Sequence, residues 1–344
     1  MFTPALIYIF ILIVVIFSVT LVIAMYSTYA ERKVAGFLQD RLGPNRAGPF
    51  GILQPVADGV KMFMKEEIIP DVSNKWLFIL GPSVAMATCL MTSAVIPFGS
   101  GLTIGGTFYP MQVADVNIGI LYVFGVVSIG VYGIMIGGWA SNNKYSLLGA
   151  LRASSQMISY EVAMGLSIIA LVMMTGTLSV REIAAGQPGG HWNVLYQPLG
   201  FLIFIICAFA ETNRAPFDLP ECETELVGGY HTEYSSMKLG FYLFAEYINM
   251  FISAAVISTL YFGGYNMPFI GRFITDPNTL SLVGTAFLFG KIFFFIFFFM
   301  WVRWTIPRFR YDQLMNLGWK GLIPLAILNI FLTGLGMWFF GKVG

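Results

Sequence analysis

The chain has 344 residues, of which 57% are hydrophobic, 16% aromatic and only 11% charged, whereas soluble domains carry roughly a quarter charged residues. Its formal net charge is +1, so there is no global basic field to attract nucleic acid. A soluble globular domain and a nucleic-acid-binding protein are both excluded, and the composition reads as an all-α integral membrane protein.

Hydrophobic runs long enough to cross an apolar layer of about 30 Å recur at 4–26, 76–97, 116–138, 157–175, 199–210, 239–262, 280–302 and 322–340. They predict eight transmembrane helices within a single polytopic membrane domain, 1–344. The first run lacks the basic flank and small-residue cleavage pattern of a signal peptide, so it reads as a retained span. The fifth run is the shortest. It reaches spanning length only as a continuous helix from Val194 to Asn213, with Pro198 in its first turn and Glu211 near its end.

Between the first two spans, Ile52, Val56, Val60, Phe63 and Met64 recur at helical spacing, with Gln54, Asp58, Lys61 and Lys65 on a second stripe. This predicts an amphipathic helix at the membrane interface over 52–68. The preceding Arg41-Leu-Gly-Pro-Asn-Arg-Ala-Gly-Pro49 is too rich in Gly and Pro for helix and reads as an ordered turn.

Orientation follows from the basic residues. Arg32, Lys33, Arg41, Arg46, Lys61, Lys65, Lys75, Lys144, Arg152, Arg214, Lys238, Arg303, Arg308, Arg310 and Lys320 fall in or beside the loops of one side. Arg181, Arg272 and Lys342 fall on the other. By the positive-inside rule the first side is cytoplasmic and both termini face outward.

The remaining polar residues are few enough to take one at a time. Glu161 is expected near the inner end of the fourth span, and Glu246 about two turns into the sixth. A lone ionised carboxylate at such depth is costly, so each is neutral, paired or beside water. With Glu211 they share the cytoplasmic halves of their helices, and a set of proton-exchanging groups is expected there. The loop 211–238 is acidic, carrying Glu211, Asp218, Glu221, Glu223, Glu225 and Glu233. Its interleaved aromatic, Gly and Pro residues argue for packing rather than solvation. Asp115 is expected to cap the third span, and Lys291, mid-span in the seventh, needs a buried partner that the sequence does not name.

Cys89, Cys207 and Cys222 have no paired spacing, and His191 and His231 no metal-binding context, so no metal site and no Fe–S ligand set is expected. A stand-alone proton or cation transporter would also fit intramembrane acids, but it would be expected to show internal repeats, and none is visible.

Several stretches resemble a single family: Glu31-Arg-Lys33 with Arg41-Leu-Gly-Pro-Asn45, Gln54-Pro-Val-Ala-Asp-Gly-Val-Lys61, Gly138-Trp-Ala-Ser-Asn142 with Ser159-Tyr-Glu161, Glu211-Thr-Asn-Arg-Ala-Pro-Phe-Asp-Leu-Pro-Glu221, and Pro307-Arg-Phe-Arg-Tyr-Asp312. They are similar to the signatures of the H-type membrane subunits of NADH-quinone oxidoreductase, respiratory complex I, which are homologous to mitochondrial NADH dehydrogenase subunit 1. The resemblance implies eight transmembrane helices with a slanted interfacial helix, in a bacterial inner membrane rather than a mitochondrial one. It implies a subunit that is not catalytic alone, walling a quinone chamber where the peripheral arm meets the membrane arm. Quinone would be its substrate, with no covalently bound cofactor, and NADH, FMN and Fe–S clusters would sit on partner subunits. Its partners would be peripheral-arm quinone-site subunits, small membrane-arm subunits and lipid. Carried over by position, Arg32, Asp58 and Lys61 would line or adjoin the chamber above the acidic loop. Glu161 and Glu246 would lead protons inward. Independently of position, the guanidinium forks of Arg308 and Arg310 suit carboxylates of a partner chain and are expected to help hold the inner face against the peripheral arm.

Overall fold

The computed structural model describes residues 4–219, 226–268 and 276–341. Helices dominate: α1 (Pro4–Leu38), α2 (Gln54–Met64), α3 (Lys75–Thr92), α4 (Gly119–Ala140), α5 (Lys144–Thr175), α6 (Val180–Ala185), α7 (Asn193–Tyr196) and α8 (Pro198–Glu211) are followed by α9 (Ser236–Tyr261), α10 (Pro277–Thr305), α11 (Tyr311–Asn316) and α12 (Ile323–Phe340). A π-helical segment, Leu317–Leu322, joins α11 to α12. A two-stranded antiparallel hairpin, β1 (Leu102–Ile104) and β2 (Thr107–Tyr109), lies between α3 and α4.

Seven helices among the described residues are long and apolar enough to cross a membrane, and an eighth span forms if α8 is counted with the segment before it. That pair is bent by 77°, so the predicted continuous helix from Val194 to Asn213 is not what forms. Pro198 has no N–H to donate and pushes the preceding residue away from helical geometry; Gln197 accordingly sits at φ −127°, ψ 54°. The bend is also held from outside: the Gln197 amide donates to Thr333 Oγ1 at 2.7 Å and accepts from Asn329 Nδ2 at 3.0 Å, both on α12.

The most intimate helix contact joins α3 to α4 through small residues. A Cβ on Gly133 would lie 2.8 Å from Ala85 N and 3.0 Å from Gly81 O, so the two backbones approach as closely as they do because glycine faces them. α9 runs through the centre, with Tyr242, Ile248, Phe251, Ala254, Ala255 and Ile257 fully buried. α1 lies at the periphery, exposing Phe10, Ile11 and Val15, as expected of a helix bathed in lipid or covered by another subunit. α2 occupies Gln54–Met64, inside the predicted 52–68 stretch, and ends where Lys65 turns extended at ψ 139°.

Helices α1 and α9 place their ends so that Arg32, Lys33, Lys238, Arg303 and the whole of α2 gather at one end of the bundle, called here the basic end. Asp115, Arg181 and the β-hairpin lie at the opposite, far end.

Candidate functional site

At the basic end the acidic and basic side chains are paired in a specific way. Glu31, in the penultimate turns of α1, is buried and receives hydrogen bonds from Arg214 Nη1 at 2.9 Å and Tyr247 Oη at 2.8 Å, and also pairs with Arg303 on α10. The Arg214 guanidinium stacks on the Tyr247 ring, 4.1 Å from its centroid, and reaches to 4.0 Å from Glu246 Oε2. Burial alone would favour a neutral Arg214, but Glu31, Tyr247 and Glu246 together raise its pKa above the ordinary value, so it remains a cation at any physiological pH. The other carboxylate oxygen of Glu246 accepts from Tyr230 Oη at 3.1 Å. No basic residue lies within a turn of Glu246 on its own helix, and the sequence suggests a carboxylate far from any cation. The structure instead brings Arg214 to it from the loop after α8.

That loop is tied down along its length. Gln156 Nε2, on α5, donates to the carbonyls of Ala210 and Phe217, both at 2.8 Å. Phe309 N donates to Pro216 O at 3.2 Å, and Arg308 pairs with the buried Asp218 at 3.1 Å. Further along, Asn143 Nδ2 donates to Glu233 at 2.5 Å. The expectation of a packed rather than solvated segment therefore holds for 211–219 and, apart from the exposed Val227, for 226–235, while Glu221, Glu223 and Glu225 lie outside the described residues, as does Cys222. Tyr234, next to Glu233, is buried, donating to Phe78 O and Gly137 O, each at 3.2 Å, and burial pushes its phenol up to about 12.

Glu161 does not lie near an end of its helix. α5 begins at Lys144, thirteen residues before the apolar run that marks it in sequence, because Ser146, Ser154 and Gln156 are buried against neighbouring segments rather than left in a loop. Glu161 is therefore mid-helix, where it accepts a hydrogen bond from Ser128 Oγ of α4. Glu211, the last residue of α8, opens onto a small cavity lined also by Phe124, Val127 and Ala208. A second, more polar cavity of about 30 Å³ contains Glu246, Tyr230, Asn213 and Asn249, and Val127 lines both. The three carboxylates thus surround one short stretch of α4.

On the other side of Arg214, a groove of about 160 Å³ runs between α1, α2 and α9, lined by Arg32, Asp58, Thr28 and Tyr247 among apolar residues. Arg32 and Asp58 form an ion pair of 2.8 Å across it. It continues into a wider apolar slot of about 480 Å³, lined by Leu21, Val22, Val60, Phe63, Phe241 and Phe244. Lys61 is exposed one turn from Asp58 and adjoins the groove without lining it. Arg310 pairs with Asp312 at 2.7 Å and stays largely exposed.

One other assignment changes, and the unnamed partner of Lys291 is filled in. Asp115 does not cap α4, which starts four residues later; it pairs with Arg181 at 3.1 Å. Lys291 has no carboxylate partner among the described residues and donates instead to the carbonyls of Phe262 at 2.5 Å, Gly264 at 2.7 Å and Asn266 at 3.5 Å.

Comparison with known proteins decides the family. The pattern of the family described as NADH dehydrogenase matches residues 10–334. The chain belongs to that family. It is 71% identical over 324 residues to the H 1 subunit of the NADH-quinone oxidoreductase of Cytophaga hutchinsonii, covering 94% of this chain and 95% of that one. It is 67% identical to the H subunit of the Flavobacterium johnsoniae enzyme, with 94% and 93% covered, and 49% identical to the H 2 subunit of the Geobacter metallireducens enzyme, again with 94% and 93% covered.

Within this family member, the site residues that sequence reasoning left unassigned are Glu31, Arg214, Arg303, Tyr230 and Tyr247. Glu31 and Arg214 lie inside the stretches that carry the resemblance, and that was their available signal. Arg303 and the two tyrosines have none, because a basic residue at a helix end, or a tyrosine in an apolar helix or a loop, is commonplace.

Proposed function

We propose that the chain is the membrane subunit of a proton-translocating NADH-quinone oxidoreductase and that the groove between α1, α2 and α9 forms part of its quinone chamber. The observation that carries this reading is the groove's polarity: a charged end at Arg32 and Asp58, then a long apolar slot. A quinone has that same asymmetry, a polar headgroup and an isoprenoid tail. The relatives named above are NADH-quinone oxidoreductase subunits, and their role is extended here to this chain.

Reduction of a quinone to a quinol takes two electrons and two protons. The electrons come from partner subunits, which carry the NADH site, FMN and Fe–S clusters. This chain's contribution is to seat the headgroup, exclude water around the tail and handle protons and charge. Negative charge on the headgroup would compete with Glu31 and Asp58 for Arg214 and Arg32. Glu246, at 4.0 Å from the same guanidinium, would feel that competition directly. A weaker hold by Arg214 makes Glu246 easier to protonate, and its neighbours Glu161 and Glu211 continue the set inward. Proton relay by Glu161 and Glu246, with the acidic loop 211–238 supporting it, is thus coupled to quinone chemistry through one shared cation.

The basic end would face the bacterial cytoplasm, with both termini outside the inner membrane. Arg308 and Arg310, on that end, would dock peripheral-arm subunits, and the exposed apolar helices would meet lipid and small membrane-arm subunits. A photoreactive quinone analogue tests the reading: in the intact complex, label should fall on peptides from α1, α2 and α9 and be displaced by excess quinone. Displaceable label confined to other parts of the chain would overturn it.

A further inference from the structure

Among the described residues, one cavity reaches from a carboxylate into the far half of the molecule. It measures about 40 Å³ and runs from Glu211 alongside α9 to Thr259 and Leu260, with Val95, Ile96 and Val180 closing its far end. From Ile252 to Leu260 that is about 12 Å of helix. Apart from Glu211, its polar lining is limited to Ser253 and Thr259, and the Thr259 hydroxyl is already committed to Ala255 O at 2.7 Å. A space of this size has room for water but offers it few partners, so hydration there is unfavourable.

The roof over this cavity is the last turn of α9, whose final carbonyls lack partners within a helix and would ordinarily recruit water. Ser258 O accepts from Phe262 N and Gly264 N in the turn that follows, and side chains satisfy Thr259 and Leu260: Gln187 Nε2 donates to Thr259 O and Leu260 O, each at 3.2 Å, and Asn193 Nδ2 donates to Leu260 O at 2.8 Å. Lys291 Nζ holds the turn beyond, taking the Phe262, Gly264 and Asn266 carbonyls, and its charge also faces the Phe287 ring at 4.3 Å and the Trp192 ring at 5.5 Å. Three side chains from two other segments therefore hold this helix end and the turn that follows it.

We propose that Lys291, with Gln187 and Asn193, clamps the far end of α9 so that the apolar cavity beneath it is a proton barrier, leaving Glu211 accessible from the basic end only. This rests on the reading of the chain as a proton-handling subunit. It assigns Lys291 a positioning role: proton exchange with Glu211 from the far side would short-circuit any gradient the complex builds, and the clamp keeps water from bridging that gap.

The test uses the purified whole complex in liposomes, with no NADH present, and follows the decay of an imposed pH gradient. Lys291→Met should speed the decay about tenfold, the population change expected from losing one net charge-assisted hydrogen bond, while NADH:quinone reductase activity persists. Lys291→Arg should restore a tight vesicle. Val256→Ser, which wets the cavity without touching the clamp, should also leak. Decay at the wild-type rate in an assembled Lys291→Met complex would overturn the proposal, and if that variant fails to assemble, a tight Val256→Ser complex would do the same. Because the readout needs no turnover, absence of quinone reductase activity in the wild type would count against the broader reading alone.

Discussion

Arg214 and Glu31 are 183 residues apart in sequence and 2.9 Å apart in space, and their side chains are only 4% and 7% exposed. The pair joins the peripheral helix α1 to the loop that follows α8. Because Arg214 also approaches Glu246, removing it takes a cation from two carboxylates at once. Loss of one member of a buried ion pair costs about 3–5 kcal/mol, so Arg214→Met should sharply lower the amount of assembled complex on native gels, with Arg214→Lys restoring part of it. Full assembly of Arg214→Met would show that the cluster contributes nothing to holding α1.

The Arg32–Asp58 pair should behave differently, since its side chains are 49% and 28% exposed and such pairs are worth about 0–1 kcal/mol. Asp58→Asn is expected to assemble normally and to lower quinone reductase activity about tenfold, roughly the value of one charge-assisted contact, because Arg32 is then no longer held in place for the headgroup. The check is a kinetic comparison at several quinone concentrations alongside the assembly assay. Wild-type kinetics would remove Asp58 from the chamber.

Glycine substitutions on α4 offer an internally controlled test of packing. Gly133→Ala would push a methyl group against Ala85 N and Gly81 O, whereas a Cβ at Gly125 meets nothing within 4 Å. Overpacking typically costs about 1–3 kcal/mol, so Gly133→Ala should lower the thermal midpoint of the detergent-solubilised complex and Gly125→Ala should leave it in place.

Tyr234 predicts an alkaline limit. Burial raises its pKa from 10.0 to about 12, slightly opposed by a hydrogen bond involving Tyr242. A group whose folded pKa lies above its unfolded one stabilises fully below the unfolded value and loses that contribution as pH rises to the folded value. Stability should therefore fall between pH 10 and about 12, and Tyr234→Phe should flatten that part of a melting-against-pH curve. An unchanged slope would mean that Tyr234 does not titrate there.

The spans were legible because lipid imposes one requirement on every residue of a helix surface, and apolar runs report it directly. The broken span was not, since the bend at Gln197 depends on Asn329 and Thr333 of α12, more than a hundred residues away. Glu161 was legible as an intramembrane acid but misplaced within its helix, because the polar first half of α5 is buried against other segments and carries no hydrophobic periodicity. Glu246 was likewise legible, while its cation was not: nothing local to Glu246 signals that Arg214 folds back onto it. Lys291 announced a need for partners without indicating that these would be backbone carbonyls.

We propose that Glu246 moves protons in step with quinone reduction rather than merely joining helices. Glu246→Gln keeps the shape and the Tyr230 contact but cannot titrate, whereas Glu246→Asp titrates with a shorter reach. The most direct measurement is the number of protons pumped per electron by the two variants in sealed vesicles driven by NADH. Both variants should assemble, Gln should lower the ratio, and Asp should retain more of it. A Gln variant that pumps at the wild-type ratio would return Glu246 to a purely structural role.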